Sequence, residues 1–373
     1  MVRVVFLVMD GLPSRHVGTA VTPVLAALAS ETGCPPGVAE AVMPADTYPN
    51  HASFVTGVGP DRHGVLANWY WDNDGVFRPA WEIGPRAPTL VDACRAGGRS
   101  SAAVVGDQHL VGVMGLDRAD DHWPPGGELP AGTPEDRLGY ADDPVALEHL
   151  ASSLEAGYDL VIGHLNTPDT AGHLDGPDTD AAADCYRSAD ACLSVVRDAI
   201  GRVWDDTVLI VVSDHAMETV DPDDPIDLGP VVAERGIGWL PEGGTAFVRG
   251  DDPDAGAWLD GVDGVESHFE TAPGLRVAVA ERGRWFGIDG LRGYRGMHGN
   301  SATREQVAVV SGGHPAAGEL AARVGGASVS AASVGGASVG GASVGATDWA
   351  PTMASLLGVR LPDAVGRVLV EGP

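Results

Sequence analysis

The stretch Val4-Val5-Phe6-Leu7-Val8-Met9-Asp10-Gly11 decides how the rest of the chain is read. Six consecutive apolar residues without polar alternation describe a strand covered on both faces, the pattern of a parallel sheet packed between layers of helix. The run is too short to span a membrane, or to supply a signal peptide's apolar region plus cleavage site. Only Met1-Val2-Arg3 precedes it, so a cytoplasmic protein with no membrane association is expected. Asp10-Gly11 then serves either as an ordinary turn or as a carboxylate held at the carboxyl end of a strand.

Outward from this strand, short apolar runs alternate with Ala/Leu-rich amphipathic segments. Val24 to Ser30 reads as a helix and Ala102 to Val105 as a strand; Val145 to Leu154 precedes a strand at Leu160 to Leu165, and Ala181 to Ile200 precedes one at Val208 to Ser213. The alternation predicts an α/β fold, a mostly parallel sheet with helices on both faces. In such sheets ligands collect beyond the carboxyl ends of the strands. Asp10, Asn166 to Asp169, and Asp214-His215 all follow apolar runs, so one edge gathers polar residues. Residues 220–295 are rich in Asp, Gly and Pro, with strand-like runs at Thr245 to Val248 and Leu275 to Ala280. They read as a small inserted α+β subdomain in a core made of residues 1–219 and 296–373. Within that core, Gly325 to Val344 repeats GGASV-type units that cannot bury enough surface to order themselves, so a flexible interruption is expected there. The amphipathic segment Thr347 to Leu357 resumes the fold.

The 373 residues, 44% of them hydrophobic, suffice for a sizeable core. The chain has no lysine, and its 23 arginines face 52 acidic residues for a formal charge of -29. That surface repels nucleic-acid polymers and anionic membranes and leaves small anionic molecules as substrates. Cys34, Cys94, Cys185 and Cys192 lack CxxC spacing and read as buried free thiols.

Beyond Asp10, four motifs carry chemistry. In Ala45-Asp46-Thr47-Tyr48-Pro49-Asn50-His51, Thr47 reads as a helix N-cap with Pro49 in the first turn. A hydroxyl there also sits where free N–H groups favour a phosphate. In Asn166-Thr167-Pro168-Asp169-Thr170-Ala171-Gly172-His173, Asp169 and His173 are four apart, on one helix face with Cβ atoms about 6 Å apart, which suits an ion pair or two ligands of one cation. Asp214-His215 closes the strand at Val208, and since consecutive strand residues point opposite ways, both reach one metal only if the strand has ended. His298 stands between glycines in Gly296-Met297-His298-Gly299-Asn300 and gains weight only from the others. Three carboxylates and three imidazoles without a thiolate suit Zn²⁺, and secondarily Mn²⁺. Two such cations about 4 Å apart would clamp an in-line phosphoryl displacement and activate a threonine that is otherwise too weak a nucleophile.

From VFLVMDG through TYPNHASFVTG, HGVLANWYWD, NTPDTAGH, VVSDHAM and GMHGN to TDWAPTMASLLGV, the chain resembles the nucleotide pyrophosphatase/phosphodiesterase branch of the alkaline phosphatase superfamily. The resemblance implies an alkaline-phosphatase-like three-layer sandwich and two zinc ions. It implies Thr47 as the nucleophile, Asp169, His173 and His298 on one zinc, and Asp10, Asp214 and His215 on the other, which Thr47 also contacts. Asn68 matches the asparagine that donates to a non-bridging phosphate oxygen, and Tyr48 the aromatic that packs against the nucleoside. Ala216 replaces the family's usual glycine, and the GGASV repeat is foreign to the pattern.

Small-molecule phosphodiesters or nucleotides are the expected partners. A monoester carries about two charges, and no arginine near Thr47 and Asn68 other than Arg62 is at hand for the second one. A diester's second organic group wants aromatic surface, which Tyr48, Trp69, Tyr70 and Trp71 could supply, Tyr48 and Tyr70 being the chosen contacts. Phosphonoacetate hydrolysis and phosphomonoesterase activity remain alternatives within the superfamily. A non-catalytic protein stabilised by metals is the alternative of another class.

Overall fold

The computed structural model describes residues 2–71, 76–287, 293–325 and 343–372, so most of the expected flexible repeat at 325–344 lies outside the described residues. Its main sheet has eight strands: β1 (Arg3–Met9), β2 (Gly37–Glu40), β3 (Ser101–Val105), β4 (Asp121–Trp123), β5 (Leu160–Leu165), β6 (Thr207–Val212), β7 (Glu305–Ser311) and β8 (Val344–Gly345). The order across the sheet is β8-β2-β7-β6-β1-β5-β3-β4. The opening apolar run is thus a central strand, parallel to both neighbours, with Val4 opposite Leu160 on one side and Val208 on the other. β7 runs antiparallel to β6 and β2. The sequence reading marks no strand there, because its apolar centre, Val307 to Val310, is short and flanked by polar residues.

Alternation along β1 divides the core. Val4, Phe6 and Val8 pack on one side, against α2 (Thr47–Thr56), α6 (Pro315–Gly325) and α7 (Trp349–Leu357). Val5, Leu7 and Met9 pack on the other, against α1 (Pro23–Glu31), α3 (Asp143–Ala156) and α5 (Asp180–Ile200). This is the expected three-layer α/β arrangement.

The amphipathic spacing of α5 buries Ala182, Tyr186, Ala189, Leu193, Val196 and Ile200 along one stripe. Each large side chain so buried contributes roughly 1.5–3 kcal/mol. The same helix supplies what α1 lacks. Thr22 makes no capping bond, and instead the buried Asp190 accepts from the N–H groups of Val24 and Leu25, both at 2.8 Å.

A separate four-stranded antiparallel sheet lies within residues 238–280, with its own cluster of Ala246, Val248, Leu259, Ala278 and Phe286. The four cysteines are free, Cys94 and Cys192 buried and Cys34 and Cys185 only half-buried, which corrects the expectation of four buried thiols. Cys185 packs against the same core cluster from the edge of the buried stripe of α5. Among the described residues no helix is long and apolar enough to cross a membrane.

Candidate active site

Three strand ends and one helix start converge. Asp10 follows β1, its N–H donating to Leu165 O at 3.0 Å; α4 (Thr167–Asp175) follows β5; and Asp214 and His215 follow β6. The turn after β1 requires glycine: Gly11 has φ 63°, and a Cβ there would lie 2.9 Å from Asp169 Oδ1. Its N–H donates to Asp214 Oδ1 at 3.0 Å, joining the ends of β1 and β6. His298 arrives on the segment after Gly296–Met297, which pairs with Glu218–Thr219 just beyond β6.

Two triads result. In the first, His173 Nε2 lies 3.4 Å from Asp169 Oδ2 and 3.1 Å from His298 Nε2, and His298 Nε2 lies 3.7 Å from Asp169 Oδ1. In the second, His215 Nε2 lies 3.2 Å from Asp214 Oδ2 and 3.6 Å from Asp10 Oδ1. Each imidazole is oriented through its other nitrogen. His173 Nδ1–H donates to Gly296 O at 2.8 Å, His215 Nδ1–H to Ala216 O at 3.0 Å, and His298 Nδ1–H to Asp46 Oδ1 at 2.9 Å. All three Nε2 lone pairs therefore point into one space, the arrangement by which proteins fix metal-binding histidines.

The electrostatics ask for positive charge. Burial, reinforced by Asp214 and Asp169, pushes the Asp10 carboxyl well above its ordinary range, and burial pushes Asp169 up to about 7. Burial also holds His173 well below the usual imidazole value. His298 goes the other way: burial opposes its charged form, but the hydrogen bond to Asp46 and the nearby Asp169 win and raise it to about 9.

Thr47 is the first residue of α2, and the N-cap position belongs to Asp46, which corrects its reading as the cap. The Thr47 hydroxyl is 3.2 Å from His215 Nε2 instead of closing a helix turn. It opens onto a cavity of about 380 Å³ lined by Asp10, Asp169, His173 and His298 together with Tyr48, Asn68, Trp69, Trp81, His109 and Tyr140. That volume suits a small molecule.

Tyr48 lines the cavity as expected, and its hydroxyl lies 3.1 Å from His109 Nδ1. Tyr70 does not line it: the ring is 1% exposed and packs in the core. Strand alternation turns Trp69 outward instead, 41% exposed and edge-on to Trp81 at 5.4 Å. Trp71 packs with Phe247 away from the cavity. The sequence reading also missed Asp46, which orients His298, and the acidic wall formed by Asp107 and Glu242, which burial pushes up to about 7 and about 8. Asp46 adjoins Thr47 in the quoted motif, which was a usable signal; the wall residues come from scattered segments and offered none. No arginine lines the cavity among the described residues.

A mostly parallel sheet between helical layers, with Asp and His side chains gathered past the carboxyl ends of its strands, defines an alkaline-phosphatase-like α/β protein. The family model for type I phosphodiesterase / nucleotide pyrophosphatase matches residues 4–279, and the chain belongs to that family. It is 28% identical over 192 residues to ectonucleotide pyrophosphatase/phosphodiesterase family member 1 of Rattus norvegicus, across 48% of this chain and 20% of that protein. With family member 7 of Homo sapiens the identity is 26% over 198 residues, across 47% of this chain and 39% of that one. The chain thus spans well under two thirds of the length of these relatives. Among solved structures, murine ectonucleotide pyrophosphatase / phosphodiesterase 5, in an inactive threonine-to-alanine form with AMP, superposes with a TM-score of 0.73 at 14% identity, covering 98% of each chain. Phosphonoacetate hydrolase from Sinorhizobium meliloti 1021 superposes with a TM-score of 0.65 at 18% identity, covering 83% of this chain and 89% of that one.

Proposed function

We propose that the chain is a metal-dependent phosphodiesterase acting on small phosphodiesters or nucleotide pyrophosphate bonds, with Thr47 as the nucleophile. The observation that carries this reading is the position of Thr47 Oγ1, which makes no cap, lies 3.2 Å from His215 Nε2 and shares a cavity with Asp10, Asp169, His173 and His298.

The residues fit two cations of the zinc class. The donors are three carboxylates and three oriented imidazoles, and Asp10 Oδ1, Asp169 Oδ1 and Asp214 Oδ2 are buried without hydrogen-bond partners among the described residues. Asp169, His173 and His298 would hold one cation, and Asp10, Asp214 and His215 the other; Mn²⁺ is the second choice of metal. Such a pair supplies Lewis acidity toward the phosphoryl group and makes a hydroxyl ionise near neutral pH.

The chain's own part is positioning. The start of α2 presents Thr47 together with free N–H groups that favour an anion. Asn68, on the same cavity wall, offers its amide to a non-bridging oxygen. Attack would form a bond from phosphorus to Thr47 Oγ1 and break the one to the leaving oxygen, the hydroxyl proton passing to solvent and the leaving oxygen taking one up; water would then hydrolyse the phospho- or nucleotidyl-threonine and free Thr47. Tyr48, Trp69 and Trp81 supply aromatic surface for the organic group of a diester, and among the described residues the lining has no arginine to grip a monoester's second charge or a substrate carboxylate. The inactive alanine form of the murine neighbour, which holds AMP, supports the same assignment.

Rates on bis-p-nitrophenyl phosphate, a nucleotide 5′-diester, ATP, p-nitrophenyl phosphate and phosphonoacetate, at one pH and metal concentration, test it. The diesters or ATP should be fastest. A monoester or phosphonoacetate turned over faster would overturn the substrate class, and bound metal with no turnover of any ester would overturn catalysis.

A further inference from the structure

Two histidines that the two triads do not use stand beside Asp10. His51 and His164 have side chains 0% and 1% exposed, and neither lines the cavity. Their rings meet edge-on, with centroids 5.1 Å apart and planes at 71°. The two oxygens of Asp10 are divided between the sites: Oδ1 faces His215 Nε2 at 3.6 Å, while Oδ2 lies 2.8 Å from His164 Nε2. His51 Nδ1 is 2.8 Å from the carbonyl oxygen of Thr47 and must donate its hydrogen there, so Nε2 keeps a bare lone pair. That Nε2 and Nδ1 of His164 are both buried without a hydrogen-bond partner among the described residues.

We infer that Asp10, His51 and His164 form a third cation site, separate from the two triads and sharing with them only the bridging carboxylate of Asp10. One ligand atom from each of the three lies within 4.8 Å of the others, a spread that bonds of about 2.0–2.2 Å would draw in slightly. Two imidazoles and a carboxylate select a transition metal such as Zn²⁺ or Mn²⁺ over Mg²⁺ or Ca²⁺, which prefer all-oxygen shells. Packing alone explains the pair less well. Buried, unpartnered ring nitrogens each carry a desolvation cost, and a cation takes up the lone pair of His51 while balancing an Asp10 that already faces Asp214 and Asp169. His51 is then a positioning residue: one nitrogen on the cation and the other on the Thr47 carbonyl would tie the first turn of α2 to the metal cluster.

The inference rests on the proposed function only through Asp10, and a metal count separates the two. The full chain is stripped with a chelator, reloaded with Mn²⁺ or Zn²⁺, desalted and measured by elemental analysis, alongside a His164→Phe variant. Three equivalents in the natural chain and two in the variant are expected. Two equivalents in the natural chain, or three retained in the variant, overturn the third site and leave the proposed function standing; one or none overturns both. Should His164→Phe fail to fold, anomalous scattering from crystals of the natural chain soaked in Mn²⁺ decides: a peak enclosed by Asp10, His51 and His164 supports the site, and peaks only at the two triads overturn it.

Discussion

Thr47→Ala removes the hydroxyl and one methyl group, and the structure separates its possible effects on stability and on rate. The hydroxyl makes no capping bond and has His215 Nε2 at 3.2 Å as its neighbour. The roughly 1 kcal/mol lost with a true N-cap is therefore not expected. Losing one partly buried hydrogen bond costs about 0.5–1.5 kcal/mol, and the better helix propensity of alanine returns up to about 0.7. The lost methyl adds up to about 0.8 kcal/mol, so stability should fall by less than about 2 kcal/mol, and the six Asp and His side chains proposed as ligands are untouched. If Thr47 Oγ1 is the attacking atom, kcat should fall by at least about 10³-fold, equivalent to about 4 kcal/mol of barrier. Thr47→Ser should keep measurable turnover. Thermal melting, metal content and turnover of bis-p-nitrophenyl phosphate, measured on the same preparations, give the three numbers together. An alanine variant with normal metal content and kcat within tenfold of the natural chain would refute the nucleophile assignment and the mechanism built on it.

Asp46→Asn keeps an acceptor for His298 Nδ1–H but removes the charge, so metal affinity at the Asp169/His173/His298 triad should weaken about 10–100-fold; competition with a chromogenic chelator measures it. His63 is buried and held down to about 3 by desolvation, with Val65 N–H donating to Nδ1 at 3.1 Å and Ser53 Oγ at 3.0 Å from Nε2. Because the unfolded imidazole takes up its proton near 6.5 and the folded one only near 3, His63 should make stability fall as pH drops through that window, by at most about 1.4 kcal/mol per pH unit. His63→Gln should flatten the slope, as read from urea midpoints between pH 4 and 7, and an unchanged slope would count against this reading. Asp190→Ala leaves the first N–H groups of α1 without their acceptor and should cost about 1–3 kcal/mol in urea unfolding with little effect on kcat.

What could be read from the sequence was what local runs encode. The strands at Val4, Leu160 and Val208 each announce themselves within a few residues, and the polar residue that ends each run is carried to the same edge by parallel pairing. Asp169 and His173 were legible for the same reason, sharing one helix face. His298 had no local signal beyond its glycines and depended on the motif as a whole. The error at Tyr70 is one of parity: three aromatics in a row do not say which face is outward, and a shift of one residue exchanges core for cavity. Asp46, His51 and His164 matter through contacts across as many as 252 positions, which no spacing rule reaches.

The triads draw on residues from Asp10 to His298, spread over four segments that meet only once β1, β5 and β6 are side by side. No short stretch of the chain can assemble either cluster, so metal capture should come late in folding, after the slow closure of long loops. A cation that binds the assembled chain and not the unfolded one then acts as a latch on the whole sheet, adding stability in proportion to the logarithm of its free concentration. If the triads hold metal as proposed, metal starvation should therefore shorten the protein's lifetime, through unfolding and proteolysis, as well as lower the proposed activity.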